Sequence, residues 1–192
     1  MINDCQISQT FIKTIGDALK LTGHYSDSDV MLFANEVKSL RVQKGDMLLN
    51  KGEVAKSLYF LLQGTVNQYS IGDNDSCQIL DLHIEGEWFF NQMSFIPQEP
   101  SEVIISAFAD SWLLEINIES LHFLIVQTQS FLQLNSIINH VTSRLQFFDH
   151  SLSPLQKYEF VFKNRPRLLQ RYPLKMIASY LKITPGNIEQ SS

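Results

Sequence analysis

The chain has 192 residues and 22.1 kDa, is 44% hydrophobic and 18% charged, and carries a net charge of −5. That is too apolar for a disordered chain and long enough to bury a core as one large domain or two small ones. No run approaches the roughly 18 apolar residues of a membrane-spanning helix, and the opening MINDCQISQTFIK has no basic region followed by an apolar run, so a cytoplasmic protein with no membrane partner is expected.

Phe11, Ile15 and Leu19 recur every four positions, and Val30, Phe33, Val37 and Leu40 follow at helical spacing after the polar break at 24–29. Two N-terminal helices are therefore predicted, the second capped by Ser26 or Ser28 with Asp27 and Asp29 near its positive end. From 41 to 117 the pattern changes. Gly-containing turn signals separate MLLN, SLYFLL, TVNQYSI, QILDLHI, EVIISAF and SWLLEI, runs rich in aliphatic, β-branched and aromatic residues. Short strands between such turns predict an antiparallel roll or sandwich.

Residues 118–150 return to helix. Phe131, Leu134, Ile138, Val141, Leu145 and Phe148 step by 3, 4, 3, 4 and 3, an a/d seam that predicts a homodimer. Ser151–Pro154 caps the next helix, with Leu155, Tyr158, Val161 and Phe162 as its apolar face and Pro166 as its stop. A further helix runs through KMIASYLKI, and Thr184-Pro185 opens a third. Short helices joined by tight turns form a helix-turn-helix pattern. The predicted class is α+β, in three parts: a roll with N-terminal helices (1–127), a dimerisation helix (128–150) and a helix-turn-helix module (151–192).

Charge separates the parts. Residues 1–150 hold 8 Lys and Arg against 18 Asp and Glu, a balance of −10, and residues 151–192 hold 7 against 2, a balance of +5. A basic end of this kind meets either a polyanion or the chain's own acidic body.

SLYFLLQGTV (57–66), GEWFFNQMSFIPQEPSEVIISAFADSWLLEI (86–116) and SPLQKYEFVFKNRPRLLQRYPLKMIASYLKITP (153–185) make the chain resemble the Crp/Fnr (catabolite activator) family of transcription regulators, in its Bacteroidetes-type branch. The resemblance implies a β-roll of double-stranded jelly-roll type that binds a small effector, often a cyclic nucleotide. It also implies a dimer that places recognition helices in successive major grooves of double-stranded DNA. It assigns the effector pocket to Gly86, Glu87, Trp88, Phe89, Phe90, Asn91, Gln92, Met93, Ser94, Pro100 and Ser101. It assigns DNA contact to Lys175, Ser179, Lys182, Thr184, Asn187 and Gln190.

Two departures bear on function. Phe90-Asn91 stands where the family has Gly-Glu, and Pro100-Ser101 where it has Arg-Ser or Arg-Thr. No arginine lies between Arg41 and Arg144, so a cyclic phosphate lacks its bidentate partner and cyclic AMP is not expected to bind in the usual way. The recognition helix is short, carries Gly186, and has Gln190 at the arginine position. A ligand-binding or protein-interaction module that has lost DNA recognition is the other reading.

No enzyme is expected. His24, His83, His122, His140 and His150 are scattered, with His83 alone on a strand that can face the roll interior. No nucleophile elbow or phosphate loop occurs. Two cysteines, Cys5 and Cys77, are too few for a four-cysteine metal site and are expected as buried free thiols. Glu85 and Glu87 beside Gly86 are expected as solvated turn charges.

Overall fold

The computed structural model describes residues 9–72, 76–140 and 152–183. Helices α1 (Gln9–Lys20) and α2 (Asp27–Glu36) come first. Ser26 is the N-cap of α2: its hydroxyl accepts from the Asp29 amide at 3.2 Å, and the Asp29 carboxylate accepts from the Ser26 amide at 3.0 Å. The helix ends at Glu36, earlier than the spacing predicts. Val37 turns extended, and Leu40 lies in a strand, because residues 38–42 pair with a late strand of the roll.

Eight strands follow, β1 (Lys38–Val42), β2 (Met47–Leu49), β3 (Ser57–Gln63), β4 (Thr65–Ile71), β5 (Cys77–Ile84), β6 (Trp88–Phe89), β7 (Ile104–Ala107) and β8 (Ser111–Asn117). They form two antiparallel four-stranded sheets, ordered β1-β8-β3-β6 and β2-β7-β4-β5. Six of them coincide with the predicted runs. The turn between β3 and β4 requires glycine: Gly64 has φ +97°, and an added Cβ would collide with the Ser111 hydroxyl and lie 2.5 Å from the Asp110 carbonyl.

The short helix α3 (Gln92–Phe95) lies between β6 and β7. Helix α4 (Ile118–Gln127) follows β8, Thr128 is extended, Gln129–Leu134 form a 3-10 helix, and residues 135–140 are helical as α5. The predicted continuous helix is thus interrupted. Phe131 and Leu134, expected in a dimer seam, are buried in the chain's own core beside Phe33, and Phe131 stacks on Phe33 at 6.2 Å. The break at Thr128 turns these side chains inward. Ile138 packs on the same core, and Val141, Leu145 and Phe148 lie outside the described residues.

Residues 152–183 hold three helices, α6 (Pro154–Asn164), α7 (Pro166–Arg171) and α8 (Leu174–Leu181), and the helix expected from Thr184 lies outside the described residues. Ser153 and Gln156 form a capping box on α6. Pro166, expected only to stop a helix, also starts one. Val161 is buried, while Leu155 and Phe162 of the predicted apolar face are exposed. The three helices lie against β5, where Val161, Leu168, Tyr172, Ile177 and Leu181 close a second core over Ile79, Leu82 and Ile84. The basic end therefore meets the chain's own acidic body.

Candidate functional site: the roll cavity and the β5 dock

A cavity of about 180 Å³ opens between β2, β3, β7 and the segment 86–101. It is lined by Leu48, Leu49, Glu53, Val54, Ala55, Lys56, Ser57, Tyr59, Asn91 and Ile105. Its apolar wall comes from alternate strand residues facing inward. The buried Tyr59 hydroxyl reaches the Leu48 carbonyl only at 3.4 Å, and burial, followed by nearby Glu115, holds its pKa well above the ordinary tyrosine value. At the mouth, Glu53 accepts from the Asn50 amide at 2.8 Å, which lowers its carboxyl pKa. Glu53, Lys56 and Tyr59, spaced by three, carry no sequence signal for this role.

Asn91 is the one member of the expected effector set that lines this cavity. Its side-chain nitrogen donates to the Ser101 hydroxyl at 2.5 Å, its oxygen accepts from the Met93 amide, and Ser101 donates in turn to the Val103 carbonyl. The others are turned elsewhere. The Trp88 indole donates to the Ala18 carbonyl at 3.1 Å and packs on Phe33 and Phe60. Phe89 stacks between Tyr59 and His83, and Phe90 packs edge-on to Phe95. These rings are core because the extended segment 88–90 is sandwiched between the roll and α1. Ser94 accepts from the Ala55 amide, Pro100 bridges to Val54, and Met93 is exposed. Gly86 occupies the turn before β6 with φ +90°, and Gln92 starts α3.

Glu87 faces away from the cavity. Both its carboxylate oxygens lie 2.8 Å from Arg165 Nη2, which also donates to the Leu82 carbonyl at 2.7 Å. Arg165 Nη1 donates to the Tyr180 hydroxyl at 3.0 Å and lies 3.9 Å from Asp81. The Arg165 side chain is only 12% exposed. Burial opposes its charge, but Glu87, Tyr180 and Asp81 outweigh it and raise its pKa further. Glu85 accepts from Arg167 at 3.0 Å and Arg171 at 2.6 Å. The turn carboxylates expected in solvent are thus the partners of three tail arginines. The Tyr172 hydroxyl is shared between the Val66 and His83 carbonyls at 2.7 and 2.8 Å.

Ser179, expected to face DNA, instead accepts from the Ile79 amide on the edge strand β5 at 3.1 Å. Lys175 and Lys182 are exposed, and Thr184, Asn187 and Gln190 lie outside the described residues. Cys77 is exposed rather than buried, and Cys5 lies outside the described residues. Among the described residues no three His, Cys, Asp or Glu are grouped to hold a metal, and no helix is long and apolar enough to cross a membrane.

A roll of two four-stranded sheets with a helix between β6 and β7 defines a class, and residues 39–128 match the cyclic nucleotide-binding domain family. Solved structures similar to this chain share its fold. The catabolite activator protein of Thermus thermophilus is 16% identical with TM-score 0.58, covering 91% of this chain and 84% of its own. FixK2 of Bradyrhizobium japonicum is 14% identical with TM-score 0.62, covering 81% and 82%. The regulatory subunit of a cAMP-independent protein kinase A from Trypanosoma cruzi, bound to guanosine, is 14% identical with TM-score 0.55, covering 67% of this chain and 44% of its own. Comparison with curated proteins gives no match.

Proposed function

We propose that the chain is an effector sensor of the Crp/Fnr regulator type, acting as a homodimer, whose roll cavity takes a small uncharged ring-bearing ligand such as a nucleoside. The observation that carries this reading is the cavity wall. Residues 86–107 contain no Lys or Arg, and Asn91 and Ser101 are spent on each other. Lys56 shares the mouth with Glu53, so the lining has no net positive charge. A buried phosphate without a paired cation is strongly disfavoured. A cavity of roughly 150 Å³ holds a benzene ring, so about 180 Å³ suits one base-sized ring system, with a sugar at the mouth. The guanosine-bound kinase regulatory subunit supports the reading, since the same fold there binds a nucleoside without phosphate.

The helices α6–α8 carry the output. Arg165, Arg167 and Arg171 are engaged by Glu85 and Glu87, which favours a sensing or protein-interaction role over DNA contact in the docked arrangement. Calorimetric titration tests the ligand: guanosine or adenosine binds at micromolar concentration while cyclic AMP and cyclic GMP do not. Micromolar binding of either cyclic nucleotide overturns the assignment. A gel shift on duplex DNA that appears at low salt and fades as salt rises would restore the DNA-reading role.

A further inference from the structure

A largely buried row of polar side chains, hydrogen-bonded except at one electrostatic contact, leads from the wall of the cavity to the C-terminal helices. It starts at Phe90, the neighbour of cavity-lining Asn91. The Phe90 carbonyl accepts from Gln68 Nε2 at 3.2 Å, and the same nitrogen lies 3.0 Å from His83 Nε2. A group beside a carbonyl oxygen is a donor, so this atom is the amide nitrogen of Gln68, and His83 Nε2 accepts from it. The neutral imidazole then carries its proton on Nδ1, which lies 3.8 Å from Glu87 Oε2, an electrostatic contact beyond hydrogen-bond distance. Glu87 holds Arg165 of the helical unit through both oxygens. His83 is fully buried and stacked on Phe89 at 4.6 Å, so it cannot turn aside without displacing the segment that leads into Phe90. A second attachment lies on the same residue: the His83 carbonyl accepts from Tyr172.

We propose that Gln68, His83, Glu87 and Arg165 couple the cavity to the docking of residues 152–183, so that a displacement of the Phe90 carbonyl changes how tightly the helical unit holds β5. The proposal rests on reading the cavity as the effector site, not on the ligand's identity. The route runs through an edge strand and a glutamine on its neighbour β4, not through α4 and α5. Polar side chains held away from water transmit displacement because a member that loses its partner is costly. Couplings of this type are worth roughly 5–150-fold in an equilibrium constant. The carboxylate–guanidinium clamp and the apolar cover of β5 make complete release unfavourable, so the coupling is a graded change in docking.

The test is amide hydrogen exchange on the full chain without ligand. Gln68→Met keeps volume and removes both donors, and Gln68 lies in the other core of the roll from α6–α8. The variant is expected to accelerate exchange about 5-fold or more in 161–181 while α1 and α2 keep their wild-type rates. Glu87→Gln, which preserves shape, is expected to accelerate exchange in 88–95 as well as in α6–α8. Wild-type exchange in α6–α8 of folded Gln68→Met overturns the proposal. So does acceleration spread evenly over the whole chain, which marks plain destabilisation. Phe162→Ser, on the exposed side of α6, is expected to change neither region. Because no ligand enters the measurement, failure of guanosine to bind and failure of the coupling are separate results.

Discussion

The two hydrophobic clusters of the molecule are built on different principles. The larger one, inside the roll and under α1, α2 and the 3-10 helix, is closed by aromatic and aliphatic side chains such as Phe33, Leu61, Phe89, Leu113 and Phe131. The smaller one, between β5 and α6–α8, has an apolar centre ringed by Arg165, Glu87, Asp81, Glu85, Tyr172 and Ser179. The first is specified by volume and is tolerant of direction. The second is specified by directional bonds to backbone and carboxylates, and it seats the helical unit on β5. An apolar core sets whether the chain folds, whereas the ringed one sets how an output element sits on a sensor.

The largest expected effect strikes the first cluster. Phe131→Ala should cost about 3–5 kcal/mol in urea unfolding, independent of protein concentration, because the ring is buried within one protomer. A cost that depends on concentration would return Phe131 to a dimer seam. Breaking the clamp comes next. Arg165→Met should cost about 2–3 kcal/mol, below the figure for a fully buried pair because Glu87 retains some solvent contact. It should also open 152–183 to limited proteolysis while the roll stays intact. Roll and helices lost together would make the two clusters one.

Tyr172→Phe removes one hydroxyl shared by two carbonyls and should cost about 1–2 kcal/mol, again with faster proteolysis of the helices. The smallest effect lies in the first region, at the α2 cap, where Ser26→Ala should cost about 1 kcal/mol by thermal unfolding. Burial opposes the Asp29 charge, but bonds from the Ser26 amide and hydroxyl and from Ser130 together outweigh it and hold its pKa below the ordinary value. A depressed carboxyl stabilises the fold above its unfolded pKa, and that contribution fades as pH falls through the folded value. The gap between wild type and Asp29→Asn should therefore shrink on acidification. A gap that stays constant would leave no role for the charge.

The roll is legible in the sequence because its signals are local. Glycines at 45, 52, 64 and 86 mark turns with positive φ; the runs between them become β2, β3, β4 and β5, and the runs after Gly86 become β7 and β8. β1 is masked because Val37 and Leu40 continue a helical spacing across the helix end, and β6 is too short to show a period. In the site, Asn91 and the lack of a cassette cation are visible from the residues. The dock is not visible, since Arg165 and Glu87 are 78 positions apart and a tail arginine looks the same whether it meets a phosphate or a carboxylate. Phe131 and Leu134 fit a heptad and a core equally well, and only the extended residue Thr128 decides between them.

The edge position of β5 has a further consequence. An outermost strand offers unbonded amides and carbonyls that recruit other strands, and here Ser179 and Arg165 occupy the Ile79 amide and the Leu82 carbonyl. A chain cut after residue 140 would expose that ribbon together with Ile79, Leu82 and Ile84. Such a fragment should be sticky, self-associating and difficult to keep in solution. Helices α6–α8 thus act as a built-in chaperone for the sheet they cover.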